Sequence, residues 1–426
     1  MNKLPLEGIR IATCEQYWAG PHCTEHLADF GAEVIKVEPP YGDLLRGGKN
    51  PVSGTFHNRI PGERPWNRMC TFNQTNRNKL SVSLDLSREE GRRVFKKLVK
   101  ISDVVVDNYA PGVMDRLGIG YEELQKVKPD IIVASSNGYG RSGPWGHYHS
   151  VGVVQEPMCG FMALTGYVGD ETPYRSGVDH IDPLTGAHMA GAIMAALLYR
   201  QKTGKGQQIN VSMLESGVNF IGPAILDYSM KGRMLEHKGN RHNQDVMAPH
   251  GCYRCKGEDE WVTIAVGSEE EWQSFCQAIG SPAWTKEERF SALDSRLKNQ
   301  DELDKRVESW TVEKDKYQAM HILQKAGVAA GPVLNIAELF SEPHLKARDF
   351  WRTVEHADAG AIIQVGPRYK LSGIIPPDPK PAPLFGEHTY YVFKDLLGMS
   401  GSEISQAIEN GVIFTEPIER EASDKG

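Results

Sequence analysis

Asp182 stands in the most suggestive local setting for chemistry in this 426-residue chain. It precedes Pro183 and sits at the mouth of an apolar, Gly- and Ala-rich stretch, TGAHMAGAIMAALLYRQ at 185–201, that reads as a helix ended by Thr203-Gly204-Lys205-Gly206. A carboxylate at a helix N-terminus is favoured by the helix dipole and the free N–H groups. It could serve a reaction there, or do no more than cap the helix. Asp179, three residues earlier, is an equally good polar loop residue, and local rules do not choose between the two. Other chemistries lack their residues. No G-x-S-x-G elbow is present for a serine hydrolase, and no P-loop or H-E-x-x-H zinc motif occurs. Cys252 and Cys255 form a lone C-x-x-C with His250 nearby. A zinc site needs about four ligands, so a strand in a loop-rich region is the plainer reading and no metal is expected.

The elements around Asp182 have a repeating rhythm. GIRIAT at 8–13 reads as a buried strand, Ala19-Gly20-Pro21 as a turn, His22 to Phe30 as a helix stopped by Gly31, and EVIKVE at 33–38 as a second strand. Strands follow at 79–86, 103–107, 131–135 and 208–212. Ser87 with Glu90 forms the signature of a capping box for a helix bearing Val94, Leu98 and Val99. Alternating strands and helices predict a parallel α/β sheet, Rossmann-like in outline. The first turn lacks G-x-G-x-x-G, so although Glu38 ends the second strand where a ribose-binding acid would stand, a dinucleotide site is not expected.

At this length two domains are expected. Charged helical stretches and Trp261, Trp272, Trp284 and Trp310 mark a smaller domain at 225–330. It interrupts a large domain built from 1–224 and 331–426, the latter ending in a helix near 402–409. Hydrophobic residues make up 40% and charged residues 24% of the chain, as in globular proteins. A formal charge of -7 and a pI near 6.1 argue against nucleic acid as a partner. The longest apolar run, Met189–Tyr199, is shorter than the about 20 residues a bilayer needs and reads as a buried helix. With no secretory signal visible and seven scattered cysteines, reduced thiols and a cytoplasmic location are expected.

Several segments in order give the chain a more specific resemblance: LEGIRIATCEQYWAGPHCTEHLADFGAEVIKVEPPYGD, NRNKLSVSLDL, VVVDNYAPGVMDRLGIGYEEL, HIDPLTGAHMAGAIMAALLYRQKTGKGQQINVSMLES and APLFGEHT. Over about residues 6–415 it resembles the class III CoA-transferases, the formyl-CoA transferase and carnitine CoA-transferase family. The resemblance implies an interlocked dimer, or a hetero-oligomer with a related subunit, and a reaction that moves coenzyme A from an acyl-CoA to a carboxylic acid. Asp182, in D-x-x-T-G-x-H, matches the family's nucleophilic aspartate. Trp18, Ala19, Leu84, Asn108, Tyr109, Ala110, Arg116, Asn137 and Tyr139 match positions near bound CoA, Arg116 as a guanidinium for its phosphates.

Some positions depart from formyl-CoA transferase. Trp18 replaces a glutamine, Pro39 stands at a basic position, Ser87 replaces a lysine with Arg88 adjacent, and KGNRHNQDVMAPHG replaces a glycine-rich loop. These changes turn the expectation away from formyl and oxalyl substrates. They favour a larger, aromatic acid such as benzylsuccinate, with succinyl-CoA as a candidate donor. Two alternatives are an α-methylacyl-CoA racemase, for which His149 lies near the position of a catalytic histidine, and a non-catalytic CoA-binding subunit of a hetero-oligomer.

Overall fold

The fold is described from a computed structural model covering residues 3–51, 55–374 and 376–419. The chain divides into two units. The larger comprises Met1–Cys159, Gly177–Phe220 and His344–Gly426. Its principal elements are β1 (Arg10–Cys14), α1 (Ala19–Asp29), β2 (Glu33–Glu38), β3 (Leu80–Ser83), α2 (Glu89–Lys100), β4 (Val104–Asp107), α3 (Val113–Arg116), β5 (Ile132–Asn137), α4 (Gly152–Met158), α5 (Ile181–Thr203) and β6 (Gln207–Ser212). The six strands form one parallel sheet in the order β3-β2-β1-β4-β5-β6. This is the doubly wound order, reversing direction between β1 and β4.

Strand alternation sends side chains to two cores. On one face, Ile35, Val82, Val105 and Val133 pack with Phe95 and Leu98 of α2 and with Val392, Phe393, Ile404 and Ile413, so the chain's end completes this unit. On the other, Ile11, Val34, Val106 and Ile132 pack with Leu27 of α1 and with Met189 and Ile193 of α5. Helix α5 has 23 residues and is long and apolar enough by length and composition to cross a membrane, so it exceeds the 189–199 run read from the sequence. Its buried Ile181, Thr185, Gly186, Met189, Ala190, Ile193, Ala196 and Leu197 follow helical spacing. Gly186 lets it cross α1 closely: a methyl group there would lie 2.6 Å from the Ala19 carbonyl oxygen.

Two element boundaries differ from expectation near the cavity. Ala19-Gly20-Pro21 is the first turn of α1, where proline is tolerated because the first N–H groups have no helical partner. The capping box at Ser87 does not form. Both the N–H and the hydroxyl of Ser87 donate to Asp85 Oδ1, so α2 begins after an Asx turn, with Arg88 as its N-cap.

Charges are buried beneath the sheet's C-terminal edge. Lys36, central in β2, donates to Asp43 at 2.7 Å and to the Glu15 carbonyl at 2.9 Å. Lys79 donates to Glu15 (2.8 Å), the Pro21 carbonyl (2.9 Å) and Asn76 (3.0 Å). Burial alone would raise the Glu15 pKa; the Lys79 and Lys36 ammonium groups outweigh it and hold the carboxyl below its usual range. Glu38 is spent in the same way, accepting from Arg46 (2.7 and 2.9 Å), Ser81 and the Asp43 amide. It is the position a dinucleotide ribose would need.

The second unit comprises Gly160–Ser176 and Ile221–Pro343. An antiparallel sheet of β7 (His250–Arg254), β8 (Trp261–Ala265) and β9 (Ala329–Pro332) packs on helices around Trp272, Phe275, Phe290, Leu303 and Leu323. Because β9 pairs with β8, this unit cannot end at 330 and runs to Pro343. It also takes in 160–176, where the His237 ring meets the Asp170 carbonyl oxygen. Cys252 lies on β7, Cys255 just beyond it, and both are free thiols. Among the described residues no group of three or more His, Cys, Asp or Glu could hold a metal.

Candidate active site

Every strand of the large unit's sheet delivers its C-terminal loop to one cavity of about 1330 Å³. Gln16 to Ala19 follow β1, Pro39 to Tyr41 follow β2, Leu84 to Ser87 follow β3, Asn108 to Pro111 follow β4, Gly138 follows β5 and Met213 follows β6. In a doubly wound sheet the C-terminal edge at the switch between β1 and β4 is where a crevice opens. Here the loop after β1 and the loop after β4 join at that point through the side chain of Asn108, which bonds both backbone groups of Gln16.

Asp182 and Asp179 both border the cavity. Asp182 lies in the first turn of α5, one residue inside the helix, and is half-buried. The N-cap is His180, so Asp182 is not the capping residue. The backbone N–H groups of Ala19, at the start of α1, and of Asp182 itself favour its charged form. Oδ2 lies against Gly152 at the start of α4, where a methyl group would stand only 1.8 Å away. The carboxylate thus occupies the room the missing side chain leaves. Burial, and secondarily the charge of Asp179, raise its pKa from 3.8 to about 6 against the pull of the two amides. Asp107, also raised to about 6 by burial, is held by Ser135 Oγ at 2.5 Å beneath the sheet edge and does not line the cavity.

Of the other residues singled out from the sequence, Trp18, Ala19, Leu84, Asn108, Tyr109, Ala110 and Asn137 line the cavity. Arg116 and Tyr139 do not. In α3, Val113 and, just past its end, Leu117 face the cavity, while Arg116 is exposed beside them with Nη1 turned toward Gly112. Tyr139 turns away into an aromatic cluster, edge-on to Trp145 (5.8 Å) and to Tyr148 (6.0 Å), and it is Tyr148 that borders the cavity. Arg88, half-exposed, pairs with the cavity residue Asp85 at 3.3 Å and donates to the Asn410 carbonyl. His149 borders the cavity from an exposed loop.

Residues that sequence reasoning did not find include Gly152, Tyr17 and Ser136. Tyr17 lines the cavity with φ +59, a left-handed conformation uncommon for a residue with a bulky side chain. Ser136 Oγ and Asn137 Oδ1 are buried, meet no partner among the described residues and belong to residues on the cavity wall, so they are placed to bond a ligand.

The chain matches the family model described as CoA-transferase family III over residues 6–389. It is similar to the formyl-CoA:oxalate CoA-transferase of Afipia carboxidovorans, 33% identical with 98% of this chain and 99% of that relative covered. It is likewise similar to the succinyl-CoA:glutarate CoA-transferase of Mus musculus, 32% identical with 96% and 90% covered. Among solved structures it is similar to a CAIB/BAIF family protein from Brucella suis, with a TM-score of 0.80, 29% identity, and 93% of this chain and 100% of that chain covered.

Proposed function

The chain belongs to CoA-transferase family III, and from that premise we propose that it transfers CoA between carboxylic acids through a covalent intermediate on Asp182. The observation that carries this reading is the Asp182 carboxylate on the wall of a large cavity, beside Ala19 at the start of α1 and backed by Gly152. One Asp182 oxygen attacks the thioester carbonyl of the donor and CoA leaves as a thiolate, giving a mixed anhydride. The thiolate then attacks the aspartyl carbonyl carbon, releasing the donor acid and forming an aspartyl-CoA thioester. The acceptor carboxylate attacks that carbonyl in turn, and the same two steps run backward to give the new acyl-CoA and a free Asp182. Overall one thioester is exchanged for another of similar energy, and the covalent route divides the exchange into easier parts. The Ala19 N–H, which favours the charged form of the carboxylate, would likewise favour the negative charge that builds when the thiolate adds to the aspartyl carbonyl.

The CoA chain would run along the strand ends past Tyr109, Ala110 and Leu84. On that path Ser136 and Asn137 would offer hydrogen bonds to its amides, and the exposed Arg88 and Arg116 would be the cations offered to its phosphates. Tyr17, Trp18 and Tyr148 on the cavity wall favour an aromatic acceptor acid of the benzylsuccinate type, and the mouse relative's use of succinyl-CoA supports that donor. Exposed apolar residues of the large unit, including Val154, Met158, Leu198, Tyr199 and Phe220, support assembly as an interlocked homodimer.

The test is incubation with candidate acyl-CoAs, trapping with hydroxylamine or borohydride, and mass spectrometry of the Asp182 peptide. Modification at Asp182 upholds the proposal and reports the donor; modification at another residue, or none with any donor that turns over, overturns it. A second measurement is the pH profile. The nucleophile must be ionised, so kcat/KM is expected to fall as pH drops through about 6, the pKa of Asp182, rather than near the usual carboxylate value.

A further inference from the structure

We propose that Asn108 is a positioning residue for the reaction: by clamping the Gln16 backbone it fixes the start of α1, where Ala19 packs against Gly186, next to the first turn of α5 that carries Asp182 on the same cavity wall. The inference rests on Asp182 being the group acylated, and goes beyond it by assigning a task to a residue otherwise expected to contact CoA. The side-chain amide of Asn108 is engaged at both ends. Its Nδ2 donates to the Gln16 carbonyl at 2.7 Å, and its Oδ1 accepts from the Gln16 N–H at 2.8 Å. The same amide group lies against Gly20, where a methyl group would stand 2.9 Å from Cγ and 3.0 Å from Oδ1. Asn108 therefore touches the segment on both sides of Tyr17, Trp18 and Ala19.

That segment needs such support. Tyr17 sits at φ +59, which costs free energy of order 1 kcal/mol and persists only where surroundings enforce it. Trp18, the N-cap of α1, makes no side-chain capping bond, so nothing local fixes where the helix begins. The outer ends are tied from the opposite side, Glu15 through its carbonyl to Lys36 and Pro21 through its carbonyl to Lys79. Asn108 supplies the inner hold, at Gln16 and against Gly20 on either side of Ala19. It comes from the strand across the sheet's switch point, so it transmits the position of β4 to the start of α1.

The experiment compares Asn108→Asp, Asn108→Ala and Gly20→Ala with the unaltered enzyme by steady-state kinetics, by the single-turnover rate of Asp182 acylation and by calorimetric binding of free CoA. Aspartate keeps the acceptor for the Gln16 N–H and the shape of the clamp but sets an anion against the Gln16 carbonyl; Gly20→Ala presses on the same amide from the helix side. A positioning role predicts kcat and the acylation rate down about 10- to 100-fold in all three folded variants, with the Kd for CoA within about threefold. Unchanged kcat in Asn108→Asp or Asn108→Ala overturns the proposal. So does a Kd for CoA about tenfold weaker with the acylation rate retained, which would mark direct ligand contact. If Asp182 is not the nucleophile, Asp182→Ala stays active, an outcome separate from either of these.

Discussion

Asp182→Ala is expected to lower CoA transfer by at least about a thousandfold while leaving CoA binding and the fold in place. On the proposed route the substitution removes both the oxygen that is acylated and the carbonyl carbon that then carries CoA, and no neighbour stands at the same position. Asp179 borders the cavity, but it lies in the loop before α5, whereas Asp182 is held in the first turn of that helix with its carboxylate in the space opposite Gly152. The check is the rate of exchange between two acids and their CoA esters, alongside calorimetric binding of CoA.

Asp182→Asn separates chemistry from stability. Folding raises the pKa of this carboxyl from 3.8 to about 6, so the folded state holds the proton more firmly than the unfolded one. Stability therefore falls as pH rises from about 4 to about 6, where the unfolded carboxyl is already ionised and the folded one must be charged against its burial. The asparagine variant escapes this cost. It is expected to be as inactive as the alanine variant yet to melt above the unaltered protein at pH 7, with the difference disappearing at pH 3.5. Equal melting temperatures at pH 7 would show that burial of the charge is not opposed as described.

Gly152→Ala is expected to reduce kcat by about a hundredfold, a large effect for one methyl group on a residue that takes no part in the chemistry. The added carbon would sit 1.8 Å from Asp182 Oδ2, far inside contact distance, so the carboxylate must rotate or α4 must withdraw. Either response displaces the carboxylate that the proposed reaction uses as its nucleophile, and displacements near 1 Å cost on the order of a hundredfold in rate. The fold should tolerate the change, because φ at Gly152 is not in the left-handed region and alanine suits the first position of a helix. Kinetics combined with the trapping experiment provide the check: the Asp182 adduct should still form, but slowly. An unchanged acylation rate would mean that the carboxylate has room the structure does not give it.

The buried ionic groups illustrate a limit of reading the chain locally. EVIKVE reads as a strand and is one, but Lys36 within it is fully buried. Such a charge is tolerated only with partners, and those partners, Glu15 and Asp43, come from other loops. Lys79 and Arg46 pose the same problem, resolved by Glu15 and by Glu38. No periodicity announces these pairings, because each depends on which strand ends lie side by side.

The alternation of apolar strands and amphipathic helices determined that this chain folds around a parallel sheet, since only covered faces can bury such continuous apolar runs. The ordered set of segments around Asp182 determined the family and with it the CoA-transfer chemistry. Tertiary structure decided the rest. It put the first turn of α1 at Ala19 rather than His22, turned Arg116 and Tyr139 away from the cavity, committed Asn108 to the Gln16 backbone and brought Gly152 against the carboxylate. Each of these depends on where loops from different strands meet at one edge, and distances across that edge follow from the packing of α1 and α5 on the sheet, which no local spacing records.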